Sequence, residues 1–164
     1  MNVSKPLIPV SKFPINGVVA ADLEDYFVGD FEIYKQYAKL PLRTAVFDAA
    51  RHIPYPDSHF DRMFSVSVLE HIPGNGDTLA LQEMLRVLKP SGSLVITLPA
   101  FTHYVEEWSV AEHYWETVRN EKGETFFQRR YDQERLGRRM DAVDTPRVSA
   151  GAGGRDCCDE HGTP

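Results

Sequence analysis

A strand–helix–strand pattern in the middle of the chain constrains the fold more than any other feature of the sequence. Phe60–Val68 is apolar along most of its length, as expected for a strand that is buried on both faces. Apolar residues then recur at helical spacing between Leu81 and Leu88, and Lys89–Gly92 supplies the cation, proline and glycine that typically end a helix. Leu94–Leu98 is a second apolar run. This βαβ unit predicts a parallel sheet.

Two shorter strands are predicted upstream of this unit, and each leads into an acidic residue. Val18–Ala21 precedes Asp22, and Thr44–Phe47 precedes Asp48. In open parallel sheets the ligand binds outside the carboxyl ends of the strands. Both acids are therefore candidate ligand-binding residues, although an acid at a strand end is more often a turn former or a helix cap.

Local signals predict one helix cap and three segments outside the βαβ unit. Asp77 follows a Gly-Asn-Gly turn and is predicted to be the N-cap of the central helix. The aromatic-rich segment Phe101–Trp115 is predicted to be helical, and Tyr131–Arg139 is predicted to form a last helix capped by Asp132. From Asp141 onward the apolar period disappears, so residues 141–164 are predicted to be a disordered tail.

Composition limits the class of protein. A length of 164 residues allows one domain, and 42% hydrophobic with 26% charged residues is typical of a soluble globular protein. A formal net charge of −6 disfavours binding to nucleic acid, and no apolar run is long enough to span a membrane. Cys157 and Cys158 are adjacent and form no disulfide framework, which favours the reducing cytoplasm.

Two segments carry a family resemblance, FDAARHIPYPDSHFDRMFSVSVLEHIP at residues 47–73 and EMLRVLKPSGSLVITLP at residues 83–99. They resemble the central part of a class I S-adenosylmethionine-dependent methyltransferase, and they are most similar to the methyltransferase type 11 group. The resemblance implies an α/β fold with a Rossmann-like, doubly wound, mostly parallel sheet. It also implies S-adenosyl-L-methionine as the cofactor and a small-molecule methyl acceptor as the partner.

The resemblance assigns the cofactor-binding residues by their place in the motifs. Asp22 corresponds to the acid that binds the ribose hydroxyls, and Asp48 to the acid that binds the adenine amino group. Ala49 lies beside the adenine ring, and Ser65 and Val66 lie where the next strand passes the cofactor.

On the acceptor side, His71 is the candidate catalytic residue, because the ordinary pKa of histidine suits a general base. A surface or capping role for His71 stays open, and Glu70 lies beside it where the substrate would approach. The remaining histidines lack the spacing of a zinc site and Cys-x-x-Cys is absent, so no metal site is predicted.

The sequence departs from the family upstream of Asp22, where it has no Gly-x-Gly turn and no strand leading into one. We therefore expect residues 1–140 to be a partial methyltransferase domain, without the first strand and the last strands, that binds cofactor weakly or not at all. The alternative is a non-catalytic methyltransferase-like remnant or a protein-interaction module. In either case exposed sheet edges predict self-association.

Overall fold

The computed structural model describes residues 17–38, 41–111 and 118–141, and within these ranges strands alternate with helices. The six strands of these ranges are β1 (Val18–Asp22), β2 (Leu42–Val46), β3 (Phe60–Val66), β4 (Leu88–Thr97), β5 (Val105–Ser109) and β6 (Thr125–Arg130). The three α-helices are α1 (Val28–Ala38), α2 (Gly76–Val87) and α3 (Gln133–Asp141). A 3-10 turn, Leu69–His71, follows β3.

The strands of the described ranges associate in pairs. β1 and β2 are parallel, in a register that sets Asp22 beside Val46. β3 and β4 are also parallel, with Phe64 beside Val95, whereas β5 and β6 are antiparallel. These pairings confirm the predicted α/β class with a mostly parallel arrangement. The fold is partial, because within the described ranges no strand pairs with the second edge of β1 or of β3.

Helix α2 provides the core by covering one face of the β3–β4 pair. The buried residues of this core come from the loop before β3, the 3-10 turn and α2, and they are Ile53, Leu69, Ala80, Met84 and Val87. Side chains of both strands pack against them, including Met63, Leu94 and Ile96. The apolar residues of α2 recur every three or four positions, so one stripe of the helix is buried and the opposite stripe is polar.

The prediction that β3 is buried on both faces is wrong. Phe64 is 76% exposed and its neighbour Val95 on β4 is 60% exposed. Both side chains lie on the face turned away from α2, which no described element covers. An apolar run shows that both faces of a strand can be buried, but each face is buried only if another element packs against it.

The predicted helix over Phe101–Trp115 is also wrong where the structure describes it. Residues Val105–Ser109 form β5, which pairs with β6. Trp108 contacts Phe126 across this hairpin in an edge-to-face geometry, with ring centroids 5.5 Å apart. The aromatic side chains therefore make contacts across the strand pair and do not line one face of a helix.

One of the two predicted helix caps is confirmed. The backbone N–H of Arg135 donates to Asp132 Oδ1 at 2.7 Å, so Asp132 caps α3. Asp77 is not an N-cap, because α2 begins at Gly76 and Asn75 occupies the cap position. The Asp77 side chain is buried instead and binds residues of β6 and its end. Asp141 ends α3, and the rest of the predicted tail lies outside the described residues.

Gly76 allows the start of α2 to pack closely against two loops, and we expect its replacement by alanine to destabilise the fold. A Cβ at this position would lie 2.2 Å from Cγ2 of Ile72 and 3.5 Å from Cβ of Ala50. Gly76→Ala should lower the free energy of unfolding by about 1–3 kcal/mol, the usual cost of overpacking. Gly29→Ala in α1 is the control, since a Cβ there meets no atom within 4 Å. Equal urea midpoints for the two variants would contradict this packing.

Candidate functional site

The carboxyl ends of β1 and β2 bring together the two acids that the sequence singles out. Because the strands are parallel and Asp22 is in register with Val46, both ends lie at the same edge. The Phe47 N–H donates to the Asp22 carbonyl oxygen at 3.0 Å, so the pairing continues to the residue before Asp48. Asp22 and Asp48 therefore occupy adjacent places at the edge where parallel sheets bind ligands.

Asp22 holds the start of the loop that follows β1. Its Oδ1 accepts a hydrogen bond from the Leu23 N–H at 2.7 Å, and its Oδ2 accepts one from the Tyr26 hydroxyl at 3.5 Å. The Asp22 carboxylate raises the pKa of that hydroxyl, and burial adds to the rise. A carboxylate offers about four acceptor sites, so Asp22 retains capacity for further donors.

Asp48 organises the turn that follows β2. Its Oδ1 accepts a hydrogen bond from the Ala50 N–H at 2.8 Å, and its Oδ2 lies 3.1 Å from Nε of Arg51. Its backbone carbonyl also accepts hydrogen bonds from the N–H groups of Arg51 and His52. Asp48 is therefore a turn former, and the same contacts fix its carboxylate at the edge of the strand pair.

Helix α2 holds the loop after this turn through two charged residues. Glu83 Oε2 accepts a hydrogen bond from the Ile53 N–H at 2.9 Å. Arg86 donates from Nη2 to the Ile53 carbonyl at 2.9 Å and from Nη1 to the Tyr55 carbonyl at 3.0 Å, and it pairs with Asp57. Hydrogen bonding to Arg86 lowers the pKa of Glu83 to about 2. These contacts fix the loop between β2 and β3 on α2.

The end of β3 presents the next two predicted residues on opposite faces. Ser65 is 5% exposed, on the same side as Met63, and its Oγ has no hydrogen-bond partner within the described ranges. Val66 is 48% exposed on the other face. A molecule that crosses this strand end therefore meets the side chain of Val66 and the main chain of Ser65.

The 3-10 turn after β3 carries Glu70 and His71. His71 Nδ1 donates to the carbonyl oxygen of Phe127 at 2.8 Å, and the two rings lie 5.5 Å apart. Because a carbonyl oxygen only accepts, the neutral imidazole carries its hydrogen on Nδ1 and its lone pair on Nε2. Glu70 is buried, with Oε1 4.0 Å from His71 Nε2.

A buried arginine joins β6 to the loop that follows this turn. Arg129 donates from Nη1 to the Ile72 carbonyl at 2.7 Å and from Nη2 to the Gly74 carbonyl at 2.9 Å. Its Nη1 also lies 3.1 Å from Asp77 Oδ2, which accepts a hydrogen bond from the Tyr131 hydroxyl at 2.9 Å. Burial and the Asp77 charge raise the pKa of Tyr131. The hairpin is thereby fixed beside His71.

Residues 7–96 match the family described as methyltransferase domain, which covers more than half of the chain. This chain belongs to the methyltransferase domain family. A curated relative, methyltransferase GfsG of Streptomyces halstedii, is 40% identical over 47 residues. That match covers 29% of this chain and 16% of GfsG.

Solved structures share the fold of this methyltransferase domain. The [4+2]-cyclase SpnF has a TM-score of 0.51 at 23% identity, over 77% of this chain and 41% of SpnF. An S-adenosylmethionine-dependent methyltransferase of Clostridium acetobutylicum has a TM-score of 0.54 at 13% identity. That match covers 76% of this chain and 62% of the Clostridium chain. A Burkholderia thailandensis N1-methyltransferase has a TM-score of 0.50 at 14% identity, over 77% of this chain and 49% of the Burkholderia chain. The chain thus spans less than two thirds of each relative.

The methyltransferase domain brings its candidate residues into two groups. Asp22, Asp48 and Ala49 lie at the end of the β1–β2 pair, and the others lie at the end of β3. Ala50 and Ile72 connect the groups, because both pack at the start of α2 around Gly76.

The sequence did not predict the roles of Arg129 and Phe127, which bind the segment around His71. Their segment has the composition of a charged surface, since it contains consecutive arginines. Alternation would not have found them, because Phe126 is buried on the opposite phase from Thr125 and Arg129.

The described parts of the methyltransferase domain contain neither a metal site nor a membrane-spanning helix. In these parts, no group of three or more His, Cys, Asp or Glu residues is placed to hold a metal ion. No helix in those ranges is long and apolar enough to cross a membrane.

The α2 contacts predict an acid-sensitive fold for this methyltransferase domain. Glu83 has a pKa of about 2 when folded against an ordinary value of 4.5, so ionised Glu83 favours the folded state. That stabilisation is complete above about pH 4.5 and is lost as the pH falls towards about 2. Urea unfolding should show Glu83→Gln to be less stable than the wild type near neutral pH, with a difference that narrows in acid. A constant difference would contradict the assignment.

Proposed function

We propose that this chain is the nucleoside-binding part of an S-adenosylmethionine-dependent methyltransferase that acts on a small-molecule acceptor in the cytoplasm. The parallel pairing of β1 with β2 carries the proposal, because it sets Asp22 and Asp48 at neighbouring strand ends. Family membership supports it. The Burkholderia relative, which was crystallised with S-adenosylhomocysteine, supports the choice of cofactor.

The residues at this edge fit a nucleoside. In the proposed complex Asp22 accepts hydrogen bonds from the ribose hydroxyls and Asp48 accepts one from the adenine amino group, with Ala49 beside the ring. Each carboxylate binds local donors and still has acceptor capacity, which suits these roles. Val66 supplies an apolar side chain at the next strand end, and Ser65 supplies main chain.

The acceptor side supplies alignment and a base. When bound, the cofactor provides a methyl group that is already electrophilic because it is attached to a sulfonium. Holding the acceptor in line with that methyl group contributes on the order of 7–11 kcal/mol. His71 Nε2 takes the proton of a hydroxyl or amine acceptor, since Nδ1–H is bound to Phe127. General-base catalysis adds about 10²–10⁴-fold.

A non-catalytic interaction module is the second candidate function, and the unpaired strand edges favour it. The second edges of β1 and β3 pair with no described strand, and Phe64 exposes an aromatic ring on β3. Such edges are templates for pairing with another chain, here a second copy through β3. The sequence upstream of Asp22 also lacks the Gly-x-Gly turn.

Titration with S-adenosylhomocysteine separates the two candidates. Two charge-assisted hydrogen bonds contribute about 1.5–3 kcal/mol each, or about 3–6 kcal/mol together, which is less than the roughly 8 kcal/mol of a micromolar complex, so the Kd should lie well above the micromolar range. Asp48→Asn should raise that Kd about tenfold or more, while Asp30→Asn, on the exposed face of α1, should leave it unchanged. Absence of binding, combined with concentration-dependent dimerisation in sedimentation, would contradict the methyltransferase proposal and favour the module.

A further inference from the structure

Glu70 is a buried carboxylate that the described part of the fold does not satisfy. The residue is 2% exposed, and its Oε2 has no hydrogen-bond partner among the residues that the structure describes. Burying a polar group without a partner costs free energy, and nearly all buried polar groups in native proteins are hydrogen-bonded. An orphaned carboxylate oxygen therefore needs an explanation outside the packing of the chain.

The surroundings of Glu70 are those of a ligand site. It lies in the 3-10 turn directly after β3, at the carboxyl end of a parallel strand pair. Its Oε1 is 4.0 Å from Nε2 of His71, the proposed base. The buried cation of this region, Arg129, is paired with Asp77 and with two backbone carbonyls.

We propose that Glu70 binds an amine acceptor by accepting a hydrogen bond from an N–H group on the nitrogen that becomes methylated. This inference rests on the proposed function and names its substrate class as amines that carry at least two hydrogens on nitrogen, one for Glu70 and one for His71. A carbon acceptor, an alcohol whose one hydrogen passes to His71, or a fully substituted nitrogen leaves Oε2 unsatisfied.

The step balances with these residues alone on the acceptor side. One N–H of the amine donates to Glu70 Oε2, and a second N–H bond breaks as its proton passes to His71 Nε2. The nitrogen lone pair forms the new bond to the methyl carbon, the pair of the breaking C–S bond goes to sulfur, and the pair of the broken N–H bond remains on nitrogen. The Glu70 carboxylate stabilises the imidazolium that results.

The stability of two glutamate variants gives the first test, and it needs no ligand. If Glu70 is retained for a ligand, Glu70→Gln removes an unsatisfied buried charge and should keep or raise the free energy of unfolding. Glu83→Gln is the matched control, because the Glu83 carboxylate is bound by Arg86 and by the Ile53 N–H, and that variant should be less stable. A loss of stability in Glu70→Gln as large as that in Glu83→Gln would overturn the proposal.

Matched probes give the second test, read from the ring resonances of His71 by NMR. Benzylamine is compared with benzyltrimethylammonium, because both are cations near neutral pH and only benzylamine has hydrogen-bond donors on nitrogen. Wild-type protein should bind benzylamine several-fold more tightly than benzyltrimethylammonium, and Glu70→Gln should abolish that preference.

Equal binding of the two probes, or binding of neither, would overturn the role of Glu70. S-adenosylhomocysteine is titrated into the same samples, and Glu70→Gln should leave its affinity unchanged. Wild-type protein that selects a donor-bearing probe but binds no S-adenosylhomocysteine would contradict the proposed function and leave the acceptor site intact. The two failures are therefore distinguishable.

Discussion

Helix α2 is the element on which the described structure depends, because a charged network fixes it at each end. Towards its carboxyl end, Glu83 and Arg86 bind the loop that follows β2. At its amino end, Asp77 binds Arg129 and Tyr131 of the β5–β6 hairpin. The strands pair only in twos within the described ranges, so α2 and these contacts position one pair relative to another. Removing one partner of a buried ion pair typically costs about 3–5 kcal/mol.

In the proposed enzyme, this arrangement divides the site into a cofactor side and an acceptor side. Asp22 and Asp48 lie on the first, where the backbone turn after β2 fixes the Asp48 carboxylate. Glu70 and His71 lie on the second, where the β6 carbonyl of Phe127 sets the tautomer of the histidine. In the proposed enzyme, a separate hydrogen-bond network orients each side, and α2 fixes the position of one side relative to the other.

The sequence predicted the parts that depend on local pattern. Apolar period and flanking glycines or prolines are enough to find β1 to β4 and α2, and the ends of those strands locate Asp22 and Asp48. It did not predict features that depend on distant partners. Asp77 has the chemistry of a cap, but Tyr131 and Arg129, more than 50 residues away, draw it into the interior. The exposed face of β3 was missed for the same reason, since an apolar run does not reveal which neighbours cover it.

Mapping the amide resonances that shift when S-adenosylhomocysteine is added shows whether the strand ends form one binding site. We expect the largest shifts at residues 22–23, 48–50 and 65–66, and smaller ones at 70–71. Shifts that are absent from these strand ends, or that concentrate on the exposed surface of α1 or α3, would contradict a shared site.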